Sequence, residues 1–317
     1  MPRIRFAAIV AACTIFGSAS ANALDKLDVG LAAVYAPSST VFAAKELGIF
    51  KDKNLDVDIV TMSSGPAALE ALLAGALDIY TGNSPGTALA IARGVPVKVV
   101  AHAGDVTPTG WHLVVRSDSA VKELKDLDGK TVAISSKGSA TDAMALWAAR
   151  FAKINFQTVP LGTGGMMPAL RAKQVDASIV WPILSFKAFV DDEFRSVADF
   201  GVLMPPMLPD VWVTSDAIIK DKPDVIRRFL EGNGKALVYM QTHEAWSLDF
   251  LRRYTGETDD RVIKMTYDLV IKPMRPDGRI ETEWMTYALG LAKAAGVTGL
   301  PEADGVFSTA FTPVDYR

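Results

Sequence analysis

The sequence predicts an α/β protein of two lobes, each a mainly parallel sheet with helices on both faces. Short aliphatic runs alternate with longer segments of helical apolar spacing, a pattern typical of parallel sheets covered by helices. A similar order of elements occurs twice along the chain. Two segments in its middle, 111–115 and 202–213, are extended enough to pass between lobes.

The predicted elements follow from this alternation. Strands are expected at 27–32, 56–60, 79–80, 97–101, 131–134, 157–159 and 178–180. Helices are expected at 40–47, 67–74, 86–93, 141–152, 167–172 and 184–190. From residue 216 onward the chain is expected to be mainly helical, with amphipathic spacing at 223–242 and 245–254, and to pack on the first lobe.

Internal duplication is indicated by residues 72–78 (LLAGALD) and 170–176 (LRAKQVD). Each segment follows a glycine-containing turn and precedes a short strand. One such match arises by chance in many α/β proteins, but the shared order favours two similar lobes. Asp78 and Asp176 end the two segments and are interpreted as turn residues.

The two crossings set the predicted lobe boundaries. Segment 111–115 is an extended apolar run, and the three prolines within 202–213 exclude a helix there. Lobe 1 is therefore expected at 24–113 and 211–317, and lobe 2 at 114–210. Two extended crossings of this kind make a hinge.

The first 23 residues are predicted to be a signal peptide. Arg3 and Arg5 precede a short apolar run, and the segment ends Ala-Asn-Ala, so cleavage is expected after Ala23 and the protein is expected in the periplasm. No later segment is long and uncharged enough to span a bilayer. Alternatively, Cys13, the only cysteine, is a lipidation site.

Composition and motifs exclude several classes of function. The formal net charge is −3, without a basic face for nucleic acid. The three histidines lack metal-ligand spacing, and the motifs of nucleophilic hydrolases and nucleotide-binding loops are absent. We therefore predict that the protein is not an enzyme and holds no cofactor or metal. The protein is also expected to be a monomer.

The candidate ligand site is the set of loops that follow the predicted strands. In open parallel sheets, ligands bind beyond the carboxyl ends of the strands. The loops at 35–40, 63–66, 81–85, 135–141 and 161–165 are rich in hydroxyl groups and glycine. Each precedes a helix, whose N-terminal N–H groups and dipole favour an anion. The alternative for any single serine or threonine is a helix N-cap.

Three aromatic or imidazole side chains adjoin these loops. Tyr35 and Trp181 lie at strand ends and are candidates to stack on the ligand, although each could instead close its own core. His102 ends a strand and could donate a hydrogen bond to an anion, although a lone histidine is often structural. The candidate ligand-binding residues are Tyr35, Ser38, Ser39, Ser64, Gly65, Asn83, Ser84, His102, Ser136, Gly138, Ser139, Ala140 and Trp181.

Five segments together resemble a known family: 30–35, 45–50, 65–78, 94–97 and 124–133 (LKDLDGKTVA). They are similar to the periplasmic nitrate, sulfonate and taurine binding proteins of ABC importers, a group related to the thiamine-pyrimidine precursor proteins. The resemblance spans about residues 26–240. It implies a type II-like periplasmic binding protein, a clamshell that closes on its ligand by hinge motion.

Position by position, the resemblance places ligand loops at 35–39, 63–65, 83–84, 136–140 and Trp181. It implies capture of a small anion such as a sulfonate, nitrate or carboxylate, and delivery to the transmembrane subunits of an ABC permease. Binding of a thiamine-pyrimidine precursor or another heterocycle is an alternative. A periplasmic ligand sensor is another. A related pyrimidine synthase is disfavoured because such enzymes carry a cysteine-rich iron motif, and a cytoplasmic lyase is disfavoured by the signal peptide.

Overall fold

The chain folds around two five-stranded sheets, seen in a computed structural model that describes residues 23–104, 109–207, 210–294 and 298–317. The first sheet has the order β2-β1-β3-β10-β4, and the second has the order β7-β6-β8-β5-β9. The strands of the first sheet are β1 (Asp25–Leu31), β2 (Leu55–Thr61), β3 (Ile79–Gly82), β4 (Val97–His102) and β10 (Val211–Ser215). Those of the second are β5 (His112–Arg116), β6 (Thr131–Ile134), β7 (Gln157–Pro160), β8 (Ala177–Val180) and β9 (Phe194–Asp199).

Each sheet has four strands that run one way and one that runs the other way. In the first sheet β10 is antiparallel to both β3 and β4, and in the second β5 is antiparallel to both β8 and β9. The remaining pairs are parallel. Strand β5 covers residues 112–115 of the first predicted crossing. Strand β10 covers only residues 211–213 of the second, predicted at 202–213, and residues 202 and 203 belong instead to a short helix at Phe200–Leu203. The predicted α/β fold of two mainly parallel sheets is confirmed.

Helices connect the strands and cover the sheets. In the first half they are α1 (Ser39–Glu46), α2 (Ile49–Asp52), α3 (Gly65–Leu73) and α4 (Ser84–Ala92). In the second half they are α5 (Ala140–Ala152), α6 (Gly162–Arg171), α7 (Leu184–Val190) and α8 (Phe200–Leu203), with a 3₁₀ turn at Leu124–Leu127. Several begin one or more residues before the predicted start: α1 at Ser39, α3 at Gly65, α4 at Ser84, α5 at Ala140 and α6 at Gly162.

The first crossing differs from the expectation in one respect. Residues 111–115 were predicted as a connection between lobes, yet β5 is a full member of the second sheet. The predicted boundary between 113 and 114 therefore falls inside a strand. The physical reason is that the apolar run is buried on both faces, which a free connection would not be.

The C-terminal third is helical, as predicted. Its elements are α9 (Asp216–Asp221), α10 (Pro223–Thr242), α11 (Glu244–Thr255), α12 (Asp260–Thr266), a π-helix (Tyr267–Ile271), α13 (Thr282–Ala294), α14 (Ala303–Val306) and a 3₁₀ turn (Thr309–Phe311). Phe229 of α10 stacks on Phe50 and meets Trp212 edge-on, with ring centroids 5.5 and 5.0 Å apart. The tail also reaches the second lobe, since α12 contacts α7 and α13 contacts α5.

Three apolar clusters form the interior. Two of them lie on the first sheet and involve the helical tail, and the third lies around the second sheet. Within the described ranges, no helix is both long and apolar enough to cross a membrane. The predicted signal peptide, apart from Ala23, lies outside the described residues, as does Cys13.

Candidate ligand-binding cleft

A cleft lies between the two sheets, at the carboxyl ends of β1, β3, β6 and β8. Its walls combine residues from both halves of the chain, and its volume is about 50 Å³. This space suits a small solute or the head group of a larger one. The lining residues are Ala32, Ala33, Tyr35, Ser64, Gly65, Gly82, Asn83, Trp111, Ser135, Ser139, Ala140, Thr141, Thr163, Trp181 and Asp210.

On the side of the first sheet, two polar side chains cap the helices that start at the cleft. The Ser64 hydroxyl accepts a hydrogen bond from the N–H of Ala67 at 3.3 Å, and the Asn83 amide oxygen accepts one from the N–H of Gly86 at 2.7 Å. These are N-caps, the alternative considered for each polar residue in these loops. Capping orients α3 and α4 so that their positive ends face the cleft.

On the side of the second sheet, a hydroxyl cluster orders the start of α5. The Ser139 hydroxyl accepts a hydrogen bond from the Asp142 N–H and lies 2.8 Å from the Thr141 hydroxyl. The Thr141 hydroxyl in turn accepts a hydrogen bond from the Ser135 N–H at 2.9 Å. The N–H groups of Ala140 and Thr141 occupy the first turn of α5, where a helix supplies no acceptor of its own. They are therefore available to an anion in the cleft.

The two lobes touch on either side of the cleft. The Asn83 side-chain N–H₂ donates to the Gly138 carbonyl at 3.4 Å, and the Thr163 N–H donates to the Ser63 carbonyl at 3.4 Å. A Cβ placed on Gly86 would lie only 2.6 Å from the Gly138 oxygen. The structure is therefore a closed arrangement, and this contact requires glycine at position 86.

Aromatic side chains form the apolar part of the cleft. Trp111 and Trp181 have ring centroids 6.1 Å apart at an interplanar angle of 48°. Both are buried, as is Tyr35 across the cleft. Rings in this position limit the shape of any molecule that enters the cleft, and helix N-termini favour negative charge.

Asp210 is the cleft residue that sequence reasoning missed most clearly. It precedes β10, lies against Gly104 and hydrogen-bonds Tyr35. Burial among apolar groups raises the pKa of its carboxyl to about 7, and the Tyr35 hydrogen bond opposes that rise. The described lining contains no lysine, arginine or histidine, so Asp210 is its only readily ionisable group. Nothing in the sequence around this residue marks it as a site residue.

The structure brings together seven of the thirteen candidate residues. The residues that line the cleft are Tyr35, Ser64, Gly65, Asn83, Ser139, Ala140 and Trp181. The residues that do not line it are Ser38, Ser39, Ser84, His102, Ser136 and Gly138. Reasoning from loops alone overlooked Trp111, Thr141 and Thr163, of which the last two lie in loops that were already considered.

The residues outside the cleft have other surroundings. Ser38 is buried, and its hydroxyl donates to the Tyr35 carbonyl at 2.9 Å and lies 3.0 Å from the Tyr254 hydroxyl. Gly138 forms the lobe contact described above. The Ser136 hydroxyl is buried without a hydrogen-bond partner among the described residues. Ser39 and Ser84 are fully buried at the starts of α1 and α4.

His102 lies outside the cleft, contrary to the expectation that it faces the ligand loops. It lines a separate small cavity with Asn233, Arg275 and Gly278, beneath the helical tail. Burial lowers the pKa of its imidazole to about 4, so the ring is neutral at neutral pH. The strand was predicted correctly, but the tail that covers its end was not anticipated. Within the described part of the chain, no cluster of three or more His, Cys, Asp or Glu side chains could hold a metal ion.

Two sheets with the same strand order, two connecting segments and a cleft between them define a two-lobed protein of the periplasmic binding protein fold. Among solved structures, the chain is similar to the alkanesulfonate-binding protein SsuA of Xanthomonas axonopodis pv. citri bound to MOPS, with a TM-score of 0.74 and 20% identity over 89% of this chain and 98% of that one. It is also similar to the nitrate-binding protein NrtA of Synechocystis PCC 6803, with a TM-score of 0.73 and 13% identity over 90% of this chain and 86% of that one.

Sequence comparison gives the family. Residues 37–245 match the sequence model of the family described as NMT1/THI5 like, and the chain belongs to that family. A candidate binding protein of Brucella abortus (strain 2308) is 25% identical over 259 residues, which cover 80% of this chain and 79% of that one. The expected family relationship is confirmed. These three similar proteins are named for binding, not for catalysis.

Proposed function

We propose that this protein is the periplasmic solute-binding component of an ABC importer, and that it captures a small anionic solute between its lobes. The observation that carries the proposal is the convergence of helix starts from both sheets on one cleft. Helices α3, α4, α5 and α6 all begin at residues that line or adjoin it. Such an arrangement stabilises a negative charge without a cationic side chain.

In this mechanism the open form exposes the loops of both lobes, and the solute binds one lobe before the other closes over it. The Gly65, Ala140 and Thr141 amides hold the anionic group, and the aromatic rings enclose the remainder. The Asn83–Gly138 and Thr163–Ser63 contacts then form between the lobes. The closed surface is the one that the permease binds. The protein acts as an exported monomer whose signal peptide is cleaved after Ala23, and its lobes are hinged at the two crossings.

A second kind of ligand is favoured by Asp210. A carboxylate in the cleft would accept hydrogen bonds from a solute that carries nitrogen donors as well as an acceptor group. A zwitterion or an amino-substituted heterocycle has this character. The neutral form of Asp210, in contrast, would donate a hydrogen bond to a simple anion. The two candidate ligands therefore require opposite protonation states of Asp210.

The pH dependence of affinity separates these candidates. A simple anion binds best when Asp210 is protonated, so its affinity falls as pH rises through about 7, by up to about tenfold per unit. A solute with a cationic or N–H donor group binds best to the carboxylate, so its affinity rises over the same range. In Asp210→Asn this part of the pH dependence disappears. A wild-type profile that is flat across this range would remove Asp210 from the binding site.

Identification of the solute is the direct test. Native followed by denaturing mass spectrometry of protein purified from the periplasm weighs any small molecule that co-purifies. Thermal shift against sulfonates, carboxylates, nitrate and pyrimidines covers the case of an empty cleft. Asn83→Ala is expected to weaken binding more than Asp78→Ala at equal stability. Absence of both a co-purified molecule and a thermal shift would contradict the proposal and favour a ligand-sensing role.

A further inference from the structure

A larger cavity lies beyond the Asn83–Gly138 contact, along the bodies of α4 and α5. We call it the flank groove, and it is defined by Leu89, Arg93, Leu146, Trp147, Arg150 and Leu291. Its volume is about 280 Å³, against about 50 Å³ for the cleft. Helix α4 belongs to the first lobe and α5 to the second, while α13 forms the remaining wall. The groove in this form exists only when the lobes are closed.

Two arginines of the flank groove have no partner of their own. The side chains of Arg93 and Arg150 take part in no ion pair, hydrogen bond or ring contact with any described residue. The other described arginines each have at least one such contact. They are Arg116, Arg171, Arg195, Arg227, Arg228, Arg252, Arg253, Arg261, Arg275, Arg279 and Arg317.

The acid at the groove does not neutralise these arginines. Asp142 also lines the cavity, but its carboxylate accepts from the Gly138 N–H at 2.9 Å and lies 3.5 Å from the Lys137 ammonium. Both of its interactions are therefore with its own loop. The groove keeps two unpaired guanidinium groups, one from each lobe.

The rest of the groove is apolar and partly exposed. Leu146 is 37% exposed. Trp147 is held in place by Phe151, with ring centroids 4.8 Å apart, and by Phe200 at 6.0 Å. Its position does not depend on a ligand. An apolar wall beside two cations complements a molecule that has an apolar body and a negatively charged end.

We propose that the flank groove is a second binding site, separate from the cleft, for an amphipathic organic anion. The arginines hold the acidic group, and Leu89, Leu146 and Trp147 cover the apolar body. Because each lobe supplies one arginine, a molecule bound there interacts better with the closed form than with the open form. Its binding therefore favours closure and raises the affinity of the cleft for its solute. The cleft, at about 50 Å³, has room for the acidic head group of such a molecule but not for its whole body.

Calorimetric titration of the purified protein with 4-phenylbutyrate and its uncharged analogue 4-phenylbutanamide tests the proposal. The acid is expected to bind at least about fivefold more tightly than the amide, since two exposed charge pairs contribute. Arg93→Gln/Arg150→Gln should remove that difference. Arg261→Gln/Arg317→Gln, an equal change of charge elsewhere, should preserve it. Leu146→Ser should weaken the acid and the amide alike, and Leu269→Ser, at an exposed leucine outside the groove, should weaken neither.

Two outcomes overturn the proposal. One is equal binding of the acid to wild type and to Arg93→Gln/Arg150→Gln. The other is failure of 4-phenylbutyrate, octanoate and naphthalene-2-sulfonate all to bind at millimolar concentration. Asn83→Ala distinguishes this site from the cleft, because it should retain the acid-to-amide preference even though it weakens solute binding. The proposed transport function can therefore be refuted while the groove proposal stands, and the groove proposal can be refuted while the transport function stands.

Discussion

The two lobes share a framework but differ in what they present to a ligand. Their strand orders are equivalent, and in each an aspartate after the third helical segment joins two neighbouring parallel strands. The Asp78 carboxylate accepts from the Asp28 N–H at 3.0 Å, and the Asp176 carboxylate accepts from the Thr131 N–H at 2.9 Å. Both aspartates also donate their own N–H back to the same residue. The predicted turn residues are thus equivalent clamps between strands.

The ligand-facing surfaces do not repeat in this way. Both lobes present capped helix starts, through Ser64 and Asn83 in the first and Ser139 in the second, but the aromatic side chains differ, with Tyr35 after β1 and Trp181 after β8. Asp210 and Trp111 each lie immediately before the reversed strand of their sheet and both line the cleft, but one supplies a carboxylate and the other an indole ring. In the proposed function, the duplicated framework therefore supplies the helix dipoles, and the unrepeated side chains supply the specificity.

The largest expected effect is at the place where the two lobes meet. Gly86→Ala puts a Cβ 2.6 Å from the Gly138 carbonyl oxygen, so the closed form must shift or open. Overpacking of this kind costs about 1–3 kcal/mol, which corresponds to a loss of about 5- to 150-fold in solute affinity. The contact with Gly138 is between the lobes, so opening relieves it, whereas the Cβ also lies 3.0 Å from the Asn83 side chain within the first lobe. Calorimetry measures the affinity, and small-angle scattering measures the extent of closure.

Gly290→Ala is the matched control for that substitution. It also adds a methyl group to a helical glycine, in α13, but a Cβ there has nothing within 4 Å. Its solute affinity should equal that of wild type. If Gly86→Ala binds and closes as well as Gly290→Ala does, the contact between the lobes is not part of the closed state in solution.

The aspartate clamps test whether the two lobes are equivalent in energy as well as in geometry. Asp78→Ala and Asp176→Ala each leave a strand N–H without its acceptor, at an expected cost of about 1–3 kcal/mol in the free energy of unfolding. Chemical denaturation measures both. Asp56→Ala, on the exposed side of β2, should change little. A difference between the two clamps well outside this range would show that the lobes are stabilised differently.

Asp210 tests the asymmetry between the crossings. Its folded pKa of about 7 lies above the ordinary value of 3.8, so this residue favours folding at low pH, and that contribution is lost as pH rises from about 4 to about 7. Asp210→Asn should therefore gain stability relative to wild type between about pH 4 and about pH 8, by up to roughly 4 kcal/mol, since each unit of pKa shift corresponds to about 1.4 kcal/mol. Asp56→Asn should follow the wild-type pH curve. A constant difference between Asp210→Asn and wild type at all pH values would refute the raised pKa.

Most strands and helices of the two lobes could be predicted from the sequence because they produce local patterns of apolar residues. Apolar periodicity gave the strands and helices, and α7 and α10 have the bounds that were predicted. The short strand β9 was missed because its arginine and serine interrupt the apolar pattern. Only pairing with β5 explains why these residues are extended.

Part of the cleft could also be predicted from the sequence, because some of its residues belong to local patterns. Residues at helix starts, such as Asn83 and Ser139, carry a local signal, because capping residues occupy those positions. The approach of Asp210 and Trp111 to the same space depends on how the two crossings pass between the sheets. That geometry involves contacts between distant parts of the chain, which no local pattern records. His102 is the opposite case, a predicted site residue that lies outside the cleft. Its strand end was predicted correctly, but a helix distant in the sequence covers it.

The smallest effects compare the loops that follow β1 and β6, which hold equivalent positions in the two sheets. Ser38 has a hydroxyl with two polar neighbours, so Ser38→Ala should lower the free energy of unfolding by about 1 kcal/mol. The Ser136 hydroxyl is buried and lacks any partner among the described residues, so Ser136→Ala should be neutral or slightly stabilising in the unliganded protein. Chemical denaturation with and without solute measures both. If Ser136→Ala instead weakens solute binding, the Ser136 hydroxyl reaches the ligand in the bound state. The second lobe then contributes more residues to recognition than those that line the cleft in this structure.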